Sequence, residues 1–104
     1  MKELNALEAN ELLENEILLV DVREEHELEV VSFDVKNCLN IPLSEIETRF
    51  HEVPKNQKII VACRAGIRSS QAIQYLIHFG YDGDLLFNLK DGILGWQQSG
   101  LKTL

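Results

Sequence analysis

Apolar and polar residues follow one another along the chain in blocks that predict strands and helices in alternation. Three apolar runs contain no alternating polar positions, which is typical of strands buried on both faces of a parallel sheet. A fourth, shorter apolar segment is stopped by Pro42 and is also typical of a strand. The predicted strands cover residues 17–20, 38–41, 58–62 and 85–87.

The segments between these runs have the composition or the apolar spacing of helices. They predict helices over residues 6–14, 24–30, 43–53, 68–79 and 93–98. In the third helix, Ser44 and Glu47 resemble a capping box in which Ser44 is the N-cap. Strands alternating with helices predict an α/β fold, with a central, mostly parallel sheet and helices on both faces.

The composition is that of a globular protein, with 45% hydrophobic and 26% charged residues. The 104 residues contain no repeat and no linker, so we expect one domain over residues 1–104. No apolar run approaches the roughly 20 residues that a membrane-spanning helix needs. No apolar leader follows the polar N-terminus. We therefore expect a cytoplasmic protein with no membrane partner, and nothing in the sequence indicates an oligomeric state.

The net charge of −7 comes from the first third of the chain. Residues 1–34 contain eleven acids and two bases, whereas residues 35–104 contain six acids and eight bases. An acidic chain lacks the clustered Lys and Arg that neutralise phosphates, so nucleic acid is not an expected partner. The acidic third has two interpretations: solvated helix faces, or a docking surface for a basic partner.

The two cysteines, Cys38 and Cys63, differ in their sequence surroundings. They form neither a disulfide framework nor the four-ligand pattern of a structural zinc site, so we expect no metal and no cofactor. Cys38 lies in a short apolar segment without a neighbouring base, which favours packing in the core. Cys63 follows the predicted strand over 58–62, and sites in open parallel sheets lie at that carboxyl end.

The segment from Cys63 to Arg68 joins this strand to a helix and concentrates the chemistry of the chain. Gly66 permits a positive φ, with which a tight loop can turn successive amides toward an anion. The positive end of the following helix and the side chains of Arg64 and Arg68 favour negative charge further. Cys63 leaves the strand where a side chain can face solvent, and we predict that it is a nucleophile with a depressed pKa. The alternative is a buried, inert cysteine at a strand end.

The length of the loop indicates which anion it holds. A phosphatase loop of the Cys-x5-Arg type would have an arginine at position 69, where this chain has Ser69. Here the arginine comes one residue earlier, at Arg68, and the tighter ring of amides favours a sulfur atom over a phosphate. A small cysteine phosphatase is therefore disfavoured.

Four motifs resemble those of the rhodanese (sulfurtransferase) homology family, and the resemblance extends from about Leu4 to Gln98. They are Asp21-Val22-Arg23-Glu24, Asn40-Ile41-Pro42-Leu43, the six-residue loop Cys63 to Arg68, and Asn88 to Trp96, which is similar to the family's closing Leu-x-Gly-Gly-x-x-x-Trp element. Two stretches depart from the pattern. Residues 33–38 lack the family's His and both of its Gly, and Asp91 replaces the first Gly of the closing element. Similar divergence occurs in rhodanese domains attached to adenylyltransferases of ubiquitin-like sulfur carriers.

The resemblance implies a single-domain sulfurtransferase with a rhodanese-like fold. Cys63 would take a sulfane sulfur from a small-molecule donor such as thiosulfate, and a thiol, a protein thiol or cyanide would accept it from the persulfide. The loop residues would bind the anionic sulfur and the donor: Arg64, Ala65, Gly66, Ile67 and Arg68. A non-catalytic rhodanese-like binding module remains an alternative, although an intact Cys63 argues against it.

Three further residues of these motifs have expected structural roles. Asp21 and Arg23 are expected to form an ion pair at the end of a buried strand. Trp96 is expected to lie in the core or beside the loop, because large aromatic side chains are usually mostly buried.

Overall fold

Five parallel strands form the centre of the computed structural model, which describes residues 1–104. The strands are β1 (Lys2–Leu4), β2 (Leu18–Asp21), β3 (Cys38–Asn40), β4 (Ile59–Ala62) and β5 (Leu86–Leu89). The helices are α1 (Ala6–Glu14), α2 (Glu25–Val30), α3 (Ile46–Arg49), α4 (Ile67–His78) and α5 (Gly92–Gln98). The sheet order is β1-β5-β4-β2-β3, and every neighbouring pair is parallel. The predicted α/β class is confirmed.

Each face of the sheet has its own hydrophobic core. On one face, Ile59 and Val61 of β4 pack with the apolar side of α4. On the other face, Ile60 and Ala62 of the same strand pack with α1 and α5, and this core includes Trp96. Neighbouring residues of a strand point to opposite faces, which is why β4 is apolar throughout. None of the helices combines the length and the apolar character that crossing a bilayer requires.

The predicted helix over residues 43–53 is divided into short pieces. Only α3 is α-helical, and a 3₁₀ turn lies on each side of it. The prediction that Ser44 is the N-cap is wrong, because Ser44 lies within the first turn and donates to the carboxylate of Glu24 at 3.0 Å. The Leu43 amide donates to the Val22 carbonyl at 2.9 Å. A contact with the end of β2 therefore fixes where the turn begins.

A buried ion pair fixes the carboxyl end of β2, as the sequence predicts. Asp21 and Arg23 are 1% and 2% exposed, and Nη2 of Arg23 donates to Oδ2 of Asp21 at 2.8 Å. At the end of β3, Asn40 donates its side-chain amide to the carbonyls of both residues, at 2.8 and 2.9 Å. These contacts hold the ends of β2 and β3 in place beside the loop that follows β4.

The C-terminal residues support the divergent stretch over 33–38. Phe33 forms an isolated antiparallel bridge with Thr103, and its ring packs edge-on against Trp96 at a centroid distance of 5.4 Å. Trp96 is 1% exposed and donates its indole N–H to the Lys102 carbonyl at 2.8 Å. Of its two expected positions, the core is therefore the correct one.

Candidate active site

Cys63 directly follows β4, the middle strand of the sheet, at the carboxyl end where the sequence predicts the site. A side chain at this position could face solvent, but Cys63 is buried, with 1% of its surface exposed. The loop folds back over the sulfur, and the Gly66 amide donates to Sγ at 3.1 Å. Cys63 is therefore buried between the loop, which bonds to its sulfur, and the hydrophobic core on the α4 face of the sheet.

Gly66 makes this loop conformation possible. Its φ is +98°, in the left-handed region that the sequence analysis anticipates, and it directly precedes α4. A Cβ at this position would lie 2.0 Å from the carbonyl oxygen of Lys90, far inside a van der Waals contact. Glycine is therefore required for the backbone conformation and for the approach of the loop to the chain after β5.

The start of α5 holds the first half of the loop. The amides of Ile93 and Leu94 donate to the carbonyls of Cys63 and Arg64, at 2.9 and 3.2 Å. Gly92 has a φ of +57°, and a Cβ there would lie 2.3 Å from the Arg64 carbonyl oxygen. The closing motif of the sequence thus braces the loop from Cys63 to Arg68 through its backbone.

Hydrogen-bond donors surround the sulfur of Cys63. Burial raises the pKa of this thiol, but hydrogen bonds from the side chain and backbone of Ser69 and from the amides of Gly66 and Ala65 outweigh burial, and the net pKa is lowered. The direction agrees with the sequence prediction. The main causes differ from those predicted, because hydrogen bonds do most to lower this pKa, while the charge of Arg68 interacts with the thiolate as a smaller contribution.

The two arginines of the loop have different surroundings. Arg64 is exposed and forms no ion pair. Arg68 is partly buried, and its two Nη atoms donate to the two carboxylate oxygens of Glu27 at 2.7 and 2.8 Å. This contact lowers the pKa of Glu27 to about 2 and raises that of Arg68. Glu27 therefore neutralises Arg68, and Arg64 is the unpaired positive charge of the loop.

Two hollows flank the loop, and Cys63 itself lines neither of them. One, of about 430 Å³, is lined by the exposed residues Ala65 and Ile67 together with Gly66. The other, of about 210 Å³, is lined by Arg64 and Glu27 among others. A larger groove of about 910 Å³ runs along α4 and includes only Arg68 among the loop residues. All five of the substrate-binding residues predicted from the sequence thus line one or another hollow, although no single hollow contains them all.

Two buried polar residues beneath the loop are absent from the predicted site. Ser69 is 0% exposed and Asn88 is 2% exposed. Ser69 Oγ lies 3.4 Å from Sγ of Cys63 and donates to Oδ1 of Asn88. A sequence signal for Asn88 exists, because it is a polar residue within the apolar run of β5. Glu27 has no comparable signal, since it is one of several acids on α2.

Cys38 lies on the edge strand β3 and is exposed, so the expected packing in the core is wrong. Although the residue is exposed, partial burial of its thiol and then the charge of Asp21 raise its pKa to about 11. Neither cysteine forms a disulfide. No three His, Cys, Asp or Glu side chains come together as metal ligands. Cys63 is therefore the thiol with the environment of a nucleophile.

The family model of the Rhodanese-like domain matches residues 5–99. A sulfurtransferase of Allochromatium vinosum is 38% identical over 86 residues, which cover 83% of this chain and 77% of that protein. The protein named adenylyltransferase and sulfurtransferase MOCS3 of Arabidopsis thaliana is 35% identical over 81 residues, or 62% of this chain and 17% of that protein. Other relatives are also longer, and the chain spans 47% of one and 27% of another.

The fold is shared with solved structures as well. The crystal structure of a rhodanese-related protein from Thermoplasma volcanium matches with a TM-score of 0.87 and 28% sequence identity. The match covers 100% of this chain and 98% of that chain. The structural match thus includes both the sheet and the loop after β4.

Proposed function

The chain belongs to the rhodanese-like domain family, and we propose that it moves a sulfane sulfur from thiosulfate, or a similar anionic donor, through a persulfide on Cys63 to a thiol or cyanide. Sulfurtransferase activity in general is supported by the relatives that carry this name. The observation that carries the proposal for this chain is the Cys63 sulfur, hydrogen-bonded to the Gly66 amide under a six-residue loop.

In the first step, the Cys63 thiolate attacks the outer sulfur of thiosulfate. The sulfur–sulfur bond of the donor breaks, and sulfite leaves with the bonding electron pair. Cys63 then carries a persulfide whose negative charge lies on the outer sulfur. The amides of Ala65 and Gly66 supply hydrogen bonds that need no reorganisation when this charge forms. Arg64 is the free positive charge that attracts the donor dianion toward the loop.

In the second step, an acceptor thiolate or cyanide attacks the outer sulfur. The persulfide bond breaks, and Cys63 leaves as a thiolate with the electron pair. A thiol of low pKa is a good leaving group, so the hydrogen bonds that activate Cys63 for attack also favour its release. No oxidant, reductant or cofactor is needed, because each step exchanges one sulfur between two nucleophiles.

The acceptor and the compartment belong to the same proposal. A small thiol or a protein thiol can approach over the exposed side chains at the loop, of which Ile67 is 72% exposed. An unpaired nucleophilic thiolate is suited to a reducing compartment, so we propose a cytoplasmic location. Neither membrane nor nucleic acid enters the proposed reaction.

Mass spectrometry after incubation with thiosulfate tests the proposal, with Cys63→Ser and Cys38→Ser as a matched pair. We expect wild type and Cys38→Ser to gain one sulfur atom and to form thiocyanate from cyanide, and Cys63→Ser to do neither. A hydroxyl has too high a pKa to replace the thiolate. A sulfur adduct on Cys38, or thiocyanate formation by Cys63→Ser, would contradict the assignment. The absence of any adduct on wild type would favour a non-catalytic binding module.

A further inference from the structure

Ser69 has a single hydroxyl proton and two neighbours that can accept it. Its Oγ lies 3.4 Å from Sγ of Cys63 and within hydrogen-bond distance of Oδ1 of Asn88. An amide oxygen can only accept, so Ser69 must be the donor in its bond to Asn88. While that bond is formed, Ser69 has no proton for the sulfur. Cys63 is then the donor of the Cys63–Ser69 contact, which requires the thiol.

The other contacts of Asn88 fix the orientation of its amide. Nδ2 donates to the Gly66 carbonyl at 3.2 Å and to the Glu3 carboxylate at 3.1 Å, which uses both of its protons. Turning the amide over would place Oδ1 against these two acceptors. Asn88 is 2% exposed, so solvent has little access to its oxygen. Ser69 is therefore the donor on which Oδ1 depends.

We propose that Asn88 is a positioning residue that holds the Ser69 proton away from Cys63, so that the thiol ionises only when Ser69 turns its hydroxyl from Asn88 to the sulfur. The Cys63 proton leaves to solvent, the Ser69 hydroxyl then donates to the thiolate, and Oδ1 of Asn88 loses its donor. Leaving a buried acceptor without a partner is unfavourable. Asn88 thus opposes the ionisation that the loop amides favour.

The same rotation of the Ser69 hydroxyl fits each half of the proposed reaction. Only this consequence rests on the proposed function, whereas the positioning role of Asn88 does not. When the persulfide forms, the negative charge moves to the outer sulfur and Sγ no longer needs the Ser69 proton, which returns to Asn88. When the sulfur is passed on, Sγ becomes a thiolate again and Ser69 turns back to it. Ser69 thereby donates to Sγ whenever Sγ is charged. Asn88 stabilises the thiol and persulfide states, in which Sγ is uncharged and Ser69 donates to Oδ1.

Charged groups near the loop also influence the ionisation of Cys63, and the experiment must leave them in place. They are the Asp21–Arg23 and Glu27–Arg68 pairs, Arg64 and Lys90. Glu3 is the charged group that contacts Asn88. Glu3→Gln is therefore the control, because glutamine removes the charge while keeping an acceptor for Nδ2.

A double-mutant cycle on the pKa of Cys63 tests the inference. The rate of iodoacetamide alkylation is measured against pH in a Cys38→Ala background for Asn88→Leu, Ser69→Ala and the double variant. Asn88→Leu is expected to lower the pKa of Cys63 by about 0.5 to 1, the effect of one net hydrogen bond, only when Ser69 is present.

Two results of this cycle and one result of the Glu3→Gln control, measured in the same way, would overturn the inference. The first is a pKa that rises or stays unchanged in Asn88→Leu. The second is an equal fall with and without Ser69, which would show that Asn88 acts through Gly66 or Glu3. The third is a fall of the same size in Glu3→Gln, which would show that the contact between Asn88 and Glu3, and not Ser69, raises the pKa of Cys63.

A measurement on the wild-type chain keeps the inference testable if a variant fails to fold. The ¹³C chemical shift of the Asn88 side-chain carbonyl is followed by NMR across the titration of Cys63. We expect a step at the pKa of Cys63 that is absent in Cys63→Ser, and a shift that does not move would overturn the inference. Neither experiment uses sulfur transfer, so a failure of the proposed function is seen separately, as a missing persulfide.

Discussion

Gly66→Ala is predicted to disturb the loop from Cys63 to Arg68 and to destabilise the protein more than the same substitution at another glycine with a left-handed backbone. Gly66 and Gly100 have φ values of +98° and +77°. Alanine at either position costs about 1–2 kcal/mol for the left-handed conformation alone. A Cβ at Gly100 would meet nothing within 4 Å, whereas a Cβ at Gly66 would lie 2.0 Å from the Lys90 carbonyl oxygen.

The second cost at Gly66 comes from opening this contact. The two atoms must separate by more than about 1 Å to reach an ordinary van der Waals distance. The Lys90 amide donates to the Leu4 carbonyl at 3.0 Å, which anchors Lys90 to β1, so we expect the loop to move instead. Shifts forced by overpacking cost about 1–3 kcal/mol. The total is about 2–5 kcal/mol for Gly66→Ala, against about 1–2 kcal/mol for Gly100→Ala.

Two measurements separate strain from the close contact. Urea unfolding gives the free energy of unfolding, and the alkylation rate of Cys63 near neutral pH reports the loop geometry. We expect Gly66→Ala to lose about 1–3 kcal/mol more stability than Gly100→Ala and to react up to about 100-fold more slowly, because the nucleophile and its donors are displaced by about 1 Å. If both variants lost the same stability and kept the wild-type alkylation rate, the argument from the close approach would be refuted.

Four further outcomes follow from the charges, the pKa directions and the length of the loop. In profiles of alkylation rate against pH, the midpoint for Cys63 should lie below the ordinary cysteine pKa of about 8.5, and the midpoint for Cys38 should lie near 11. A Cys63 midpoint at or above about 8.5 would contradict the argument that hydrogen bonds lower its pKa. Arg64→Ala should lower kcat/KM for thiosulfate about 5-fold at low salt, as expected for an exposed charge, and should make kcat/KM less dependent on salt. An equal loss with an uncharged donor would exclude electrostatic attraction of the donor by Arg64. The Glu27 pKa is lowered to about 2 by its bond to Arg68, so the pair stabilises the fold above about pH 4.5 and less as the pH falls toward 2. Acid titration of unfolding should therefore show a decline about 1 kcal/mol larger in wild type than in Glu27→Gln, after allowing for solvent screening, and parallel curves would argue against the pair. Finally, the six-residue loop should give no Cys63-dependent hydrolysis of aryl phosphates, and such hydrolysis would refute the interpretation of loop length.

The order of strands and helices could be predicted because burial on both faces leaves continuous apolar runs. All four residues of β4 are buried, and the sequence shows them as one such run. Two of the three residues of β1 are charged and exposed. This strand is defined by its pairing with β5, which leaves no pattern in the local sequence. The start of the segment over 43–53 depends in the same way on a distant partner, the carbonyl of Val22.

The position of Cys63 could be predicted from its place at a strand end, but its surroundings could not. Arg68 and Glu27 are 41 positions apart in the chain, and Ser69 and Asn88 are 19 apart. Contacts over such separations follow from the packing of elements and leave no periodic signal. The sequence therefore presents two free arginines at the loop, whereas the structure leaves only one of them unpaired.

The backbone amide of Gly66 and the side chain of Arg64 are expected to have different effects on Cys63, because the first lies in a buried site and the second is exposed. The Gly66 amide is 3.1 Å from the sulfur of Cys63, a residue that is 1% exposed, so their electrostatic interaction is weakly screened. Arg64 is exposed, so water and salt screen its charge. Substituting Arg64 should consequently change how fast an anionic donor arrives while leaving the pKa of Cys63 in place. Substituting Gly66 should change both, because its amide stabilises the thiolate and its backbone forms the wall that the donor meets.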